Sequence, residues 1–119
     1  MTTEKIDKER LLEYMSSGEV TVLNVLAADD YRRLHIRGSV SAPLEELTGG
    51  GWKNLDRGTK YVTHCSGPKC TACEKAAEFL LEKGFTVSVY RGGIQEWSES
   101  GLPVEGEQTY SDYEKTPRL

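Results

Sequence analysis

Short apolar runs rich in β-branched residues alternate along this chain with segments of helical periodicity. The runs VTVLNVL, YVTHC and FTVSVY predict buried strands at residues 20–26, 61–65 and 85–90. A helix is predicted over residues 7–16, where Asp7 is placed to cap the first turn. A longer helix is predicted over residues 71–83, which Gly84 is placed to end. The alternation predicts an α/β domain with a largely parallel sheet.

The segments between these elements predict shorter helices and loops. Short helices are expected within residues 27–35, 44–48 and 91–103. From Gly106 onward the chain is polar, and we expect a loosely held tail. The predicted organisation is therefore one domain over residues 1–105, followed by a polar C-terminal tail over residues 106–119.

Composition and charge restrict the functional class. With 119 residues, of which 37% are hydrophobic and 29% charged, the chain has the composition of a soluble single-domain protein. A net charge of −4 argues against nucleic acid as the main partner. No apolar run approaches the roughly 20 residues that cross a bilayer, so we expect no membrane partner. The charged start, MTTEKIDKERLLEYM, lacks the apolar region of a secretion signal, which predicts a cytoplasmic protein with reduced thiols.

Candidate chemistry is concentrated in the stretch YVTHCSGPKCTAC, residues 61–73, which holds all three cysteines. Cys65 ends a predicted strand, and Gly67 and Pro68 turn the chain towards the following helix. Such a loop directs backbone N–H groups inward, and the helix N-terminus adds a partial positive charge, so both favour a thiolate. Lys69 is placed to add a positive charge at the rim. The pattern predicts that Cys65 is a nucleophile with a lowered pKa that handles an anionic substrate.

Two other interpretations of this stretch stay open. In one, Cys65 is a buried strand-end cysteine without chemistry, which is the common fate of a free cysteine. In the other, the stretch binds zinc through Cys65, Cys70 and Cys73, with or without His64 as a fourth ligand. The CxxC pair has no second ligand pair elsewhere, and His64 should point to the opposite face of the strand, so we expect no metal.

Further segments, in the order and at the spacing of one family, resemble the rhodaneses, which are single-domain sulfurtransferases. The segment His35–Gly38 is similar to the His-Ile-x-Gly element of that family. YVTHCSGPKCTACEKAAEFLLEKGF is similar to its active loop and the helix that follows. VYRGGIQEWSESGLPVE is similar to its closing Gly-Gly, Trp and Gly-x-Pro-Val elements. The resemblance covers about residues 20–105.

The resemblance implies a three-layer, rhodanese-like α/β fold with a five-stranded, mainly parallel sheet flanked by helices. It implies that Cys65 is the catalytic nucleophile and carries a persulfide. The activity implied is that of a thiosulfate:cyanide-type sulfurtransferase, which moves sulfane sulfur from thiosulfate or a persulfide donor to cyanide or a thiol. No metal or organic cofactor is needed. The residues implied to form the active loop and bind substrate are Ser66, Gly67, Pro68, Lys69, Cys70 and Thr71.

The chain departs from the family pattern near the implied site. The first strand of the family usually ends Asp-x-Arg, and that Asp and Arg help to brace the active site. Asn24 and Leu26 stand at those two positions here. Asn24 is therefore only a candidate accessory residue. Cys70 stands where an arginine often precedes the helix, so one cation is lost and one thiol is gained. Arg91 is a second candidate accessory residue that could attract an anionic donor, or else a solvated arginine.

Two rival functions stay open. One is a non-catalytic rhodanese-like binding or redox-sensing module. The other is a phosphatase or arsenate reductase, for which related folds use an arginine six residues after the cysteine. Thr71 occupies that position here, so we expect neither phosphatase nor arsenate reductase activity.

Cys70 is also a candidate resolving thiol, because it follows Cys65 by five residues within one tight loop. Inward N–H groups predict, however, that the side chains between them point outward, and that of Cys70 with them. Cys73 is expected to be a packed residue of the helix.

Overall fold

The structure, a computed structural model, describes residues 3–67 and 69–115. Its strands are β1 (Glu4–Ile6), β2 (Val20–Asn24), β3 (His35–Ile36), β4 (Val40–Ser41), β5 (Lys60–His64), β6 (Thr86–Tyr90) and β7 (Val104–Glu105). Its helices are α1 (Lys8–Ser17), α2 (Ala28–Arg33), α3 (Leu44–Thr48), α4 (Ala72–Glu82), α5 (Gly93–Glu99) and α6 (Tyr110–Lys115), with a 3₁₀ turn at Gly51–Asn54. Of the helices described, none has the length and apolar character that a bilayer span requires.

Five of these strands form one sheet in the order β1-β6-β5-β2-β4, and every neighbouring pair in it is parallel. β5 lies at the centre, where Val62 is in register with Val22 of β2 on one side and Ser88 of β6 on the other. The predicted α/β class and five-stranded parallel sheet are therefore confirmed. Because the carboxyl ends of parallel strands share one edge, the segment after β5 begins at the middle of that edge.

Helices cover both faces of the sheet. On one face, Leu47 of α3 and Leu80 of α4 belong to a buried cluster with the strand side chains. On the other face, Leu11 of α1 and Trp97 of α5 pack with Val62. Strands buried on both sides read as continuous apolar runs, which is why β2, β5 and β6 stand out in the sequence.

Local side chains set the ends of several elements. Asp7 caps α1 as predicted, since its carboxylate accepts a backbone N–H of the first turn at 2.8 Å. The predicted strand over 20–26 stops earlier, at Asn24, because the side-chain oxygen of Asn24 accepts the N–H of Leu26 at 3.0 Å and favours a bend there. Gly84 follows α4 with φ +92°, a conformation that glycine adopts without strain.

Four of the described strands, β1, β3, β4 and β7, are short and lie outside the three predicted strands. β1 pairs with β6 at the edge of the sheet, and its residues Glu4 and Lys5 are exposed. β7 pairs antiparallel with β3 over two residues only, His35 with Glu105 and Ile36 with Val104. Strands this short carry no period that a sequence pattern could reveal.

The C-terminal segment differs most from its prediction. Backbone N–H groups of Glu107 and Gln108 donate to carbonyls at the end of α2, at 3.0 and 2.9 Å. In α6, which follows, Tyr113 is 1% exposed and packs against Leu34 and Ile94. The expectation of a loosely held tail is wrong for the part that is described, because a buried aromatic ring holds it on the domain. The domain boundary at residue 105 stays a prediction.

Candidate active site

A tight loop over residues 65–71 joins the central strand β5 to α4. The N–H of Cys70 donates to the carbonyl of Gly67 at 3.1 Å and closes a turn within the loop. Thr71 is the exposed residue just before α4, and its side chain makes no capping hydrogen bond. Pro68 lies outside the described residues. The described loop residues are thus brought together at the carboxyl edge of the sheet, as predicted.

The start of α5 supports the first half of this loop from behind. The N–H of Ile94 donates to the carbonyl of Cys65 at 3.1 Å, and the N–H of Gln95 donates to the carbonyl of Ser66 at 2.9 Å. These two bonds fix the backbone on which the candidate nucleophile stands.

Gly93 allows α5 to approach the loop this closely. Its φ is +62°, and a Cβ atom there would lie 2.4 Å from the carbonyl oxygen of Cys65 and 2.7 Å from the nitrogen of Gly67. Both the conformation and the space therefore require glycine. The sequence marked this residue only through its family resemblance.

Three free thiols lie close together where the loop joins α4. Cys65 is 1% exposed, and the half-buried Cys70 packs against the buried cluster that contains Cys65 and Cys73. The carbonyl of Cys70 accepts from the thiols of Cys65 and Cys73, with S···O distances of 3.5 and 3.9 Å. The expectation that Cys70 points outward is therefore wrong, because its side chain packs against this cluster.

A pocket of about 460 Å³ opens beside the loop. Cys70, which is half-buried, lines this pocket, whereas Cys65 lies behind it. α6 supplies one wall, which sequence reasoning missed; the available signal was a pair of tyrosines three residues apart in a polar tail. The lining residues are Ser66, Gly67, Lys69, Cys70, Gln95, Glu99, Tyr110, Tyr113 and Glu114.

Within the described ranges, no group of three or more His, Cys, Asp or Glu side chains is arranged to hold a metal ion, the three thiols included.

The model of the rhodanese-like domain family matches residues 7–100 of this chain. The chain belongs to the rhodanese-like family. A rhodanese-related protein from Thermoplasma volcanium is 33% identical and has a TM-score of 0.77, over 87% of this chain and 99% of that one. A thiosulfate sulfurtransferase from Pseudomonas aeruginosa is 25% identical with a TM-score of 0.73, over 90% of this chain and 21% of that one.

A third relative has a different described role. An HTH-type transcriptional regulator from Mycobacterium tuberculosis is 29% identical over 102 residues, which cover 86% of this chain. The chain spans 45% of the length of that regulator.

The electrostatics of the thiols correct one sequence-based expectation for this rhodanese-like loop. Hydrogen bonding from Cys70 lowers the pKa of Cys65, but the thiol of Cys73 and burial outweigh it and raise the pKa of Cys65 to about 11. The pKa of Cys73 is lowered, chiefly by hydrogen bonding with the Cys65 thiol and in part by the charge of Arg91. The expected lowered pKa of Cys65 is therefore wrong in the reduced state, and of these two thiols Cys73 gives up its proton more readily.

This arrangement predicts slow alkylation of Cys65 at neutral pH. Because only the thiolate reacts and the pKa is raised, the rate should climb about tenfold per pH unit from pH 6 to pH 9.5 without reaching a plateau. Peptide mapping after timed iodoacetamide treatment measures the alkylation rate of Cys65. In the Cys73→Ser variant, which lacks the thiol that raises this pKa, the curve should shift to lower pH. A plateau below pH 8 in the unmodified chain would contradict the assignment.

The two candidate accessory residues do not line the pocket. Asn24 is fully buried beside His64 and shapes the end of β2 through Leu26. Arg91 donates to the carboxylate of Glu74 at 2.9 Å, so part of its charge is already compensated. The role of either residue in binding a donor stays a prediction.

His64 ends β5 immediately before the candidate nucleophile and is wholly buried. Its Nδ1 lies 3.2 Å from the carbonyl oxygen of Cys65, and burial lowers its pKa from 6.5 to about 4. The imidazole is therefore neutral in the folded protein at pH 7, and an unfolded chain takes up a proton that the folded chain does not.

The free energy of unfolding should consequently decrease as the pH is lowered, because of His64. The stabilisation is complete above pH 6.5 and is lost between pH 6.5 and pH 4, by about 3 kcal/mol in all, because each pKa unit corresponds to about 1.4 kcal/mol. Urea denaturation at several pH values measures this slope. His64→Gln should flatten this slope over that window. Equal slopes in the variant and the unmodified chain would refute the effect.

Proposed function

We propose that this rhodanese-like chain is a sulfurtransferase that moves sulfane sulfur through a persulfide on Cys65. The supporting observation is the position of Cys65, at the end of the central strand in a loop braced by α5. The N–H of Cys73 is directed at the Cys65 sulfur, and the N-terminus of α4 begins beside it. Both stabilise negative charge on sulfur held at this point.

The first step loads the cysteine. The Cys65 thiol releases its proton to solvent through the pocket, and the Cys65 thiolate attacks the outer sulfur of the donor. With thiosulfate, a bond forms between Cys65 Sγ and the outer sulfur, the bond to the sulfite sulfur breaks, and sulfite leaves with the bonding electrons. Because Cys65 is only 1% exposed, the donor reaches it after the Cys70 side chain turns aside.

The second step unloads the cysteine. Cyanide or a thiol attacks the outer sulfur, and Cys65 leaves as a thiolate. The pocket holds Lys69 but also the carboxylates of Glu99 and Glu114, and it lacks the arginine that Cys70 replaces. This balance suits thiol acceptors and persulfide donors better than the thiosulfate dianion. We place the reaction in the cytoplasm, where free thiols stay reduced.

Sulfite release tests the proposal. Reduced protein mixed with thiosulfate and excess dithiothreitol as the thiol acceptor should release sulfite continuously, and Cys65→Ser should lower the rate at least a thousandfold because no nucleophile remains. Near-ultraviolet circular dichroism verifies that the variant keeps its fold. Equal sulfite release from both proteins would exclude a Cys65 persulfide.

A redox-sensing module is the second candidate. Similarity to a transcriptional regulator and the burial of Cys65 beside two other thiols favour it. The same assay separates the two functions, because an enzyme releases sulfite in every cycle, whereas a sensor that only cycles between thiols and a disulfide releases none.

A further inference from the structure

We propose that Cys70 is a second catalytic cysteine, which discharges the Cys65 persulfide by forming a Cys65–Cys70 disulfide and releasing the outer sulfur as sulfide. This inference rests on the proposed function, since it requires a persulfide on Cys65. It assigns a role to the thiol that stands in place of the family arginine.

The geometry of the loop presents Cys70 to Cys65. The half-buried Cys70 side chain packs against the buried cluster that contains Cys65, and the Cys65 sulfur lies 3.5 Å from the carbonyl oxygen of Cys70. Both cysteines lie in the loop, one directly after β5 and the other two residues before α4. Closing the distance between their sulfurs to an S–S bond of about 2.05 Å therefore moves loop atoms only and leaves the sheet and helices in place.

Exposure separates the roles of the two partners. Cys70 lines the pocket, while Cys65 lies behind it. Released sulfide leaves through the pocket, and an external thiol that enters the pocket meets Cys70 first. That thiol attacks the Cys70 sulfur, and Cys65 leaves as the thiolate that the next cycle needs.

Cys73 is the less suitable partner although it belongs to the same buried cluster as Cys65. It is wholly buried in α4, and its carbonyl accepts the hydroxyl of Thr63 at 2.8 Å, which ties it to β5. Cys73 does not line the pocket, so a disulfide to it would be closed to an external reductant. It therefore serves as the matched control for Cys70.

The chemistry balances without an added oxidant. The Cys70 thiolate attacks Cys65 Sγ, the new S–S bond forms, and the bond to the outer sulfur breaks. The outer sulfur leaves with the bonding pair and takes up a proton as HS⁻, so two thiols lose two electrons and the sulfane sulfur gains them.

A single-turnover experiment tests the proposal. Reduced, desalted protein is mixed anaerobically with excess thiosulfate and no acceptor, and sulfite, sulfide and intact mass are measured. The unmodified chain should release sulfite and sulfide in equal amounts and end about 2 Da lighter, as a disulfide that dithiothreitol reverses. Cys70→Ser should release sulfite, retain a mass gain of about 32 Da and release at least tenfold less sulfide. Cys73→Ser should still end as a Cys65–Cys70 disulfide, whatever its rate.

The outcomes separate this inference from the proposed function. A stable gain of one sulfur atom in the unmodified chain, without sulfide, overturns the inference and leaves the sulfurtransferase intact. Sulfide release that depends on Cys73 rather than Cys70 overturns it as well. If neither the unmodified chain nor Cys70→Ser releases sulfite, the proposed function fails, and the catalytic role of Cys70 fails with it. Diamide oxidation and peptide mapping supply a second readout, for which a Cys65–Cys73 link would contradict the geometry.

Discussion

Gly93→Ala should lower the rate of sulfur transfer about a hundredfold, because a displacement of about 1 Å in an active site has an effect of that size. The added methyl would lie 2.4 Å from the carbonyl oxygen of Cys65, closer than any real contact. The backbone of the loop has to move away from α5, and the N–H groups around the thiols move with it. Stability should also fall, by about 2–5 kcal/mol, from left-handed strain and overpacking together.

Gly101 provides the matched control for this variant. It also has a positive φ, +76°, but a Cβ atom there meets nothing within 4 Å. Gly101→Ala should therefore cost about 1 kcal/mol of stability through strain alone and leave the rate unchanged. Urea midpoints and initial rates of sulfite release measure both effects. A Gly93→Ala protein with normal turnover would show that the loop does not depend on this close approach.

Tyr113→Ala should remove about 3–5 kcal/mol of stability, as large aromatic truncations in a core do. The ring is 1% exposed and fills the space between Leu34 and Ile94. Its loss frees α6 from the domain and removes one wall of the pocket, so the KM for a thiol acceptor should rise severalfold.

Tyr113→Phe separates the two parts of this effect. The phenylalanine keeps the packed ring, so stability should stay within about 1.5 kcal/mol of the unmodified chain. Chemical denaturation and acceptor titrations compare the three proteins. If Tyr113→Ala unfolds at the same urea concentration as the unmodified chain, the C-terminal segment contributes nothing to the fold.

The sequence reveals those parts of the fold that are buried on both sides. β2, β5 and β6 lie between helix layers and are continuous apolar runs, so their pattern is unambiguous. β1 lies at the exposed edge of the sheet, where polar residues suffice, and its pairing depends on β6, which lies far along the chain. α6 is polar except for its tyrosines, so only the three-dimensional position of Leu34 and Ile94 shows that it is held.

Part of the candidate site could likewise be predicted from the sequence, and part could not. The location of Cys65 can be predicted because a reactive residue at the end of a parallel strand faces the functional edge of the sheet. The raised pKa of Cys65 could not be predicted, because it depends on the positions of the Cys70 and Cys73 thiols. Cys70 turns inward because it packs against the buried cluster around Cys65 and Cys73, and such packing has no sequence signature.

The central position of β5 determines how sulfur can travel. β5 is hydrogen-bonded on both sides, so its amide protons should exchange with solvent only through global unfolding, whereas loop amides after it should exchange through small local openings. Cys65 is anchored to the slowest-exchanging part of the molecule and cannot act as a swinging arm. A protein acceptor therefore has to insert its own thiol into the pocket, which favours acceptors whose cysteine lies on a flexible, protruding segment.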